Sequence, residues 1–223
     1  MKIDILTLFP NMFTGFLNES IIKRARDKKL VEINVIDFRE YSLDPHHKVD
    51  DYQYGGGSGM VLMIEPIYNC LQKIKTKDSK IILMTPQGKK YNQTLAYSLT
   101  NEKHIIIICG HYEGFDERIR SLVDLEISIG DYVLTGGEIP SMVITDSITR
   151  LISNVIKEDS HINDSFKDNL LDYPVYTKPV DFMGMKVPEI LLSGHHENIK
   201  KWKYEESLKR TKERRPDLLE KSE

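Results

Sequence analysis

Apolar residues in this chain fall into short runs, separated by stretches in which they recur every three or four positions. Residues 2–9, 31–38, 80–85, 104–109 and 125–129 are rich in β-branched and other apolar side chains, and several lack any alternation with polar positions. Such runs predict strands buried on both faces, as in a parallel sheet. The clearest is Ile105-Ile106-Ile107-Ile108 with Cys109. Between them, residues 12–27, 65–75, 92–100 and 117–123 carry helical spacing, and a longer helix is predicted over 140–156, where Pro140 suits a first turn. Strands and helices in alternation give βαβ connectivity and an α/β fold.

The pattern changes after Ile156. Residues 157–165 are polar without apolar periodicity, which predicts a linker. Residues 173–188 contain Pro174, Pro179 and Pro188, too many for a helix. Residues 195–215 are helical and basic and predict a small C-terminal module around the only tryptophan, Trp202, which is either core or a contact residue. There is no internal repeat and no low-complexity tract.

With 223 residues, 40% of them hydrophobic and 29% charged, the chain can form one large domain with a small appendage. Disorder is excluded by the apolar content. No window approaches the roughly 18 apolar residues of a membrane span, so no membrane partner is expected. The first ten residues are interrupted by Asp4 and stopped by Pro10, and read as a strand and not a signal peptide. Two cysteines, Cys70 and Cys109, make no disulfide framework. That usage suits a reducing, cytoplasmic location.

Net charge is −3, yet residues 195–215 hold eight lysines and arginines against four glutamates, and residues 23–29 hold five cations against one aspartate. Either cluster is a footprint for nucleic-acid phosphates or a solvated face. Gly55-Gly56-Gly57-Ser58-Gly59 looks like a phosphate loop, but Met60 stands where both the P-loop lysine and the third glycine of GxGxxG would fall. It is a flexible turn or a substrate-gripping loop. The histidine pairs His46-His47 and His195-His196 lack zinc-site spacing.

Three successive strands are followed by glycine-bearing loops: Pro86-Gln87-Gly88, Gly110-His111-Tyr112-Glu113-Gly114, and Gly130 through Glu138. Open α/β sheets bind ligands at the carboxyl ends of their strands. Backbone groups with few cations suit a nucleoside better than a triphosphate.

At these loops the sequence closely resembles the bacterial tRNA (guanine-N1)-methyltransferases of the SPOUT class, the TrmD family. The matching stretches include Leu8-Phe9-Pro10, Val49-Asp50-Asp51, Tyr54 through Gly57, Pro86-Gln87-Gly88, Tyr112-Glu113-Gly114, Asp116-Glu117-Arg118, Ser128 through Glu138, Asp164-Ser165-Phe166, Leu170-Leu171-Asp172, Leu192 through His195 and Arg214-Arg215-Pro216. Nearly the whole chain is covered in order.

The resemblance implies a SPOUT-type parallel sheet with a C-terminal trefoil knot and a small helical C-terminal domain. It divides the chain into a methyl-donor domain at 1–158, a linker at 159–172 and a tRNA-binding helical domain at 173–223. It implies methyl transfer from S-adenosylmethionine to N1 of guanosine 37, 3′ of the tRNA anticodon. Carried over by position, the donor contacts are Met84, Thr85, Pro86, Gly110, Glu113, Ile129, Gly130, Asp131, Tyr132, Val133, Leu134, Gly136, Gly137 and Pro140. Asp164 holds the general-base position and Arg150 the position facing guanine O6, and these residue types fit proton removal from N1 and stabilisation of charge on O6. Magnesium is a further implied ion, with Glu113, Asp164 and Asp172 as candidate ligands.

His111, Gln53, Asn163 and Lys178 depart from the usual pattern. Another SPOUT RNA methyltransferase, or a non-catalytic RNA-binding module, is the rival reading. The resemblance also implies a homodimer with active sites between subunits. A helix of about 17 residues spans roughly 25 Å, so Asp164 either is carried away from its own crevice toward a partner's or returns to it on a linker that folds back within one chain.

Overall fold

The structure, a computed structural model, describes residues 1–156 and 165–220. The chain divides into two compact units, Met1–Ile156 and Lys157–Glu223. In the first, strands β1 (Lys2–Thr7), β2 (Glu32–Asp37), β5 (Ser79–Lys90), β6 (His104–Ile108) and β7 (Leu125–Ser128) form one sheet in the order β2-β1-β6-β5-β7. Every pairing in it is parallel. The two-residue strands β3 (Asp50–Asp51) and β4 (Val61–Leu62) pair separately, antiparallel.

Strand β6 is central, and each of its residues is buried. Ile105, Ile107 and Cys109 face one apolar core, with Ile22, Ala25, Leu99, Ile144 and Ile148. Ile106 and Ile108 face the other, with Ile67, Cys70 and Leu71. Two covered faces explain why the strand has no polar alternation. The first core takes helices α2 (Ser20–Asp27), α4 (Gln93–Leu99) and α5 (Glu138–Thr149); the second takes α3 (Ile64–Ile74).

Several predicted boundaries are corrected. The single helix over 12–27 is three pieces: a 3-10 turn at Pro10–Phe13, α1 (Thr14–Asn18) and α2. Glu19 is extended and Ser20, at φ +52°, opens α2 in the left-handed region, so a single helix cannot run through the two. Asn18 turns its amide back to the Thr14 carbonyl at 2.9 Å, a local bond of the kind that competes with helix continuation. Residues 117–122 form a 3-10 helix and not an α-helix. Helix α5 begins two residues earlier than predicted and ends at Thr149, and Asn154 in the left-handed region bars its extension to 156. Strand β5 does not end at Thr85: its ladder with β7 breaks between Met84 and Lys89 and resumes, leaving 85–88 as an outward excursion.

In the second unit, a hairpin of β8 (Asp181–Phe182) and β9 (Met185–Lys186) and a short helix α6 (Glu189–Leu192) precede α7 (His196–Arg214). Helix α7 is tied down by its own unit: the Thr211 hydroxyl accepts the Leu171 amide at 2.9 Å, and the Lys203 ammonium lies 4.4 Å from the Tyr173 ring centroid while donating to its hydroxyl. Trp202 is half-buried. Most of the predicted linker, Asp164 and Asn163 included, lies outside the described residues.

Candidate active site

A cavity of about 420 Å³ opens at the carboxyl ends of β5, β6 and β7. That size lies within the roughly 300–1,000 Å³ of small-molecule sites. Its walls are the three glycine-bearing loops. The β5 excursion gives Met84, Thr85, Pro86 and Gln87; the loop after β6 gives Gly110 to Phe115; the loop after β7 gives Ile129, Gly130, Tyr132 to Gly137 and, from α5, Pro140.

Of the expected donor contacts, all but Asp131 line this cavity. Asp131 points outward, its side chain 86% exposed and paired with Lys90 at 3.1 Å. Arg150 is not a wall residue. It caps the far end of α5, whose 12 residues span about 18 Å from the cavity. Asp172 belongs to the second unit and Asp164 lies outside the described residues.

The walls meet closely at glycines. A Cβ on Gly137 would stand 2.7 Å from both the Cys109 Cα and the Gly110 nitrogen, which are backbone atoms. The Gly137 amide donates to the Gly110 carbonyl at 2.8 Å, so the β6 and β7 loops are stitched together. Gly59, at φ +82°, has the Glu113 side chain packed where a Cβ would go. The Glu113 amide donates to the Met60 carbonyl at 3.0 Å and the Leu62 amide to the Gly114 carbonyl at 2.9 Å. The 55–59 loop is therefore rooted in the cavity wall, which its sequence alone could not reveal.

The one cation of the cavity wall is neutralised locally. Arg120, the one cationic wall residue, contacts Glu117, Glu126 and Gln87 with its guanidinium. The Arg118 guanidinium holds the Asp116 carboxyl below the usual carboxylate range, by hydrogen bonds at 2.6 and 2.9 Å. Burial pushes the Cys109 thiol, behind Gly137, up from its ordinary range. This lining of backbone, aromatic and paired polar groups fits a nucleoside and leaves no unpaired cation, among the described residues, for a polyphosphate. No group of three or more His, Cys, Asp or Glu side chains among the described residues could hold a metal ion.

Sequence reasoning missed Phe115, Glu117, Arg120 and Ile127 as wall residues. His111 and Thr135 line the wall within the loops read from the sequence, although neither is among the donor contacts carried over by position. Arg120 depends on the 3-10 turn that brings it beside Glu117.

Residues 1–221 match the family described as tRNA (Guanine-1)-methyltransferase TrmD. Among similar proteins, the tRNA (guanine-N(1)-)-methyltransferase of Macrococcus caseolyticus is 60% identical over 222 residues, 99% of this chain and 92% of the relative. The protein of that name from Spiroplasma kunkelii is 58% identical over 99% of this chain and 83% of its own length. That of Mycoplasma mycoides subsp. mycoides is 56% identical over 99% and 92%.

Proposed function

This chain belongs to the tRNA (guanine-1)-methyltransferase family, and from that premise we propose how its cavity serves the reaction. The enzyme methylates N1 of guanine in tRNA. We assign the cavity to S-adenosylmethionine and the target to guanosine 37. The observation that carries the assignment is that three successive strand-end loops, whose wall holds no unpaired lysine or arginine among the described residues, contain every donor contact the family resemblance names except Asp131.

When bound, S-adenosylmethionine supplies an electrophilic sulfonium methyl. The protein's share is to hold that methyl in line with N1 and to take the N1 proton. Asp164 is the base: as N1 bonds to the methyl carbon and the carbon–sulfur bond breaks, the carboxylate receives the proton and later returns it to water. Arg150 offsets the negative charge that moves onto O6, an interaction stronger in the transition state than in the ground state. Among the described residues no group of three or more acidic, histidine or cysteine side chains gathers into a magnesium site. We assign the family's trefoil knot to residues 129–140, which pass against Cys109 and Gly110.

Arg150 stands a whole helix away from the cavity of its own chain. Val133, 85% exposed, and Ile139 and Val143, exposed one turn apart on α5, form an apolar face beside the cavity mouth. A two-fold partner covering that face would bring its own Arg150 and Asp164 to this cavity. The exposed Lys200, Lys201, Lys209 and Lys212 of α7 supply phosphate contacts to tRNA. No helix among the described residues is long and apolar enough to cross a membrane, and we place the enzyme in the cytoplasm.

Co-expression tests the shared site. Asp164→Asn and Gly110→Trp are each expected to abolish methylation, and heterodimers of the two to regain one working site. Dead heterodimers, formed from parents that fold and dimerise, overturn it. Nuclease mapping of the methylated tRNA tests position 37.

A further inference from the structure

One buried carboxylate beside the cavity is unused by this mechanism. Glu138, the first residue of α5, is 2% exposed. Its Oε1 accepts the Thr7 hydroxyl at 2.7 Å. Thr7, fully buried at the end of β1, uses the same hydroxyl to accept the Phe9 amide at 2.9 Å. Glu138 has no ion pair among the described residues, although burying a carboxylate without one is unfavourable by several kcal/mol. Its place at a helix N-terminus offsets part of that penalty. A carboxylate retained at such a penalty calls for a role beyond packing.

The second carboxylate oxygen indicates that role. A Cβ on Gly136 would meet Glu138 Oε2 at 2.3 Å, His111 Nδ1 at 2.7 Å and the Gly110 carbonyl oxygen at 3.2 Å. Three polar atoms from two segments, the loop after β6 and the start of α5, thus converge on one point behind the cavity wall. His111 Nδ1 is itself buried and without a hydrogen-bond partner among the described residues. The His111 ring is otherwise held only by aromatic faces, tilted against Phe9 at 4.6 Å and edge-on to Tyr112 at 5.1 Å. Such contacts fix where a ring lies better than how it is turned about its axis. The Glu138 carboxylate shares that point with Nδ1 without a direct hydrogen bond to it, and its negative field favours a ring turned with Nδ1 toward it.

We propose that Glu138 is a positioning residue for the methyl donor: anchored by Thr7, its carboxylate sets the orientation of His111 and the spacing of the Gly136–Gly137 turn from Gly110 along one wall of the cavity. This rests on the reading of that cavity as the donor site. Glu138 touches no ligand itself. It acts through His111 and the turn, so its loss is felt in donor binding and not in tRNA binding.

The test is calorimetric titration of S-adenosylmethionine, with the KM of donor and tRNA measured separately. Glu138→Ala is expected to weaken donor binding roughly tenfold and raise the donor KM in step, with the tRNA KM unchanged, an effect on the scale of coupled neighbouring residues. His111→Ala alone should behave likewise, and the double variant should be no worse than either single. Should Glu138→Ala fail to fold, Glu138→Gln keeps the shape and the Thr7 bond, and Thr7→Ser against Thr7→Val separates the hydroxyl from the methyl. Thr7→Ser should preserve donor affinity and Thr7→Val should lose part of it. A Glu138 variant that melts earlier yet binds donor normally, or a double variant whose losses simply add, overturns the positioning role. A wild-type protein that does not bind S-adenosylmethionine overturns the cavity reading itself, and this proposal with it.

Discussion

The two ends of the central sheet are built on opposite terms. Where the strands begin, Asp4 is fully buried and accepts hydrogen bonds from Lys2 at 2.8 Å, Asn34 at 2.8 Å and the His104 Nε2 at 2.9 Å. His104 Nδ1 meets the Ser79 hydroxyl at 2.8 Å, and Ser79 accepts the Thr76 amide at 2.8 Å. Side chains from β1, β2, β5 and β6 are joined into one saturated network. Where the strands end, the walls are glycine backbone, His111 keeps an unpartnered nitrogen among the described residues, and a cavity stands open.

By residue type the first end looks like chemistry, since serine, histidine and aspartate in a hydrogen-bonded row are the parts of a hydrolase triad. The serine is already committed to a backbone amide, however, and the histidine is almost wholly buried. Saturation marks structure; unsatisfied groups and missing side chains mark a place for a ligand.

The comparison breaks if the saturated end serves the donor or if the open end serves only stability. The largest effect is expected at the saturated end. Asp4→Ala removes the acceptor shared by Lys2, Asn34 and His104, and truncating one partner of a buried charged network destabilises by about 3–5 kcal/mol. For a protein of this size that lowers Tm by roughly 10 °C. Folded Asp4→Ala protein should still bind S-adenosylmethionine as the wild type does. A loss of donor affinity without a loss of Tm would reverse the assignment of the two ends.

Gly137→Ala probes the open end. Its new methyl would press on Cys109 and Gly110 backbone at 2.7 Å, so the β7 loop must shift away from the β6 loop. A displacement of about 1 Å costs on the order of 10²-fold in rate, so turnover should fall by up to that amount and donor affinity should fall with it, with a Tm change smaller than that of Asp4→Ala. Normal affinity in the variant would mean the two loops do not jointly form the site.

These two ends were not equally legible in the sequence. The open end was: glycines following three consecutive apolar runs can be read one residue at a time, because a strand's exit and the loop behind it are local features. The all-apolar run of β6 likewise revealed a strand covered on both faces. The saturated end was not, because Asp4 and His104 are 100 residues apart and meet only through the parallel register that aligns Lys2 with His104 and Asp4 with Asn34. The Thr7–Glu138 bond spans 131 residues and was hidden for the same reason. The helix expected over 12–27 failed at Ser20, where one left-handed residue interrupts a pattern whose periodicity continues past it.

The smallest effect concerns the two thiols, one in each core. Burial pushes Cys70 up to about 12 and raises Cys109 further into the alkaline range. Both thiols are therefore neutral in the folded protein throughout the ordinary pH range, whereas in the unfolded chain they ionise near about 8.5. A group whose pKa is raised by folding contributes its full stability below the unfolded value and loses it as pH climbs toward the folded one. Stability should consequently decline between about pH 8.5 and 12, by at most about 1.4 kcal/mol per thiol for each pH unit. Tyrosines and lysines add their own slopes, so the thiol share is isolated by difference, with Tm followed from pH 7 to 10 for wild type and for Cys70→Ala with Cys109→Ala. The double variant should start lower, because two buried side chains have been truncated, and then fall less steeply. Parallel curves would mean that the cores admit water to the sulfurs. Cys109 separates the two ends once more, because its thiol donates to Ser141 directly behind the Gly137 turn. If that turn moves when the donor binds, a thiol reagent should label Cys109 in the free enzyme and be slowed by S-adenosylmethionine, while Cys70, away from the cavity, stays unlabelled in both.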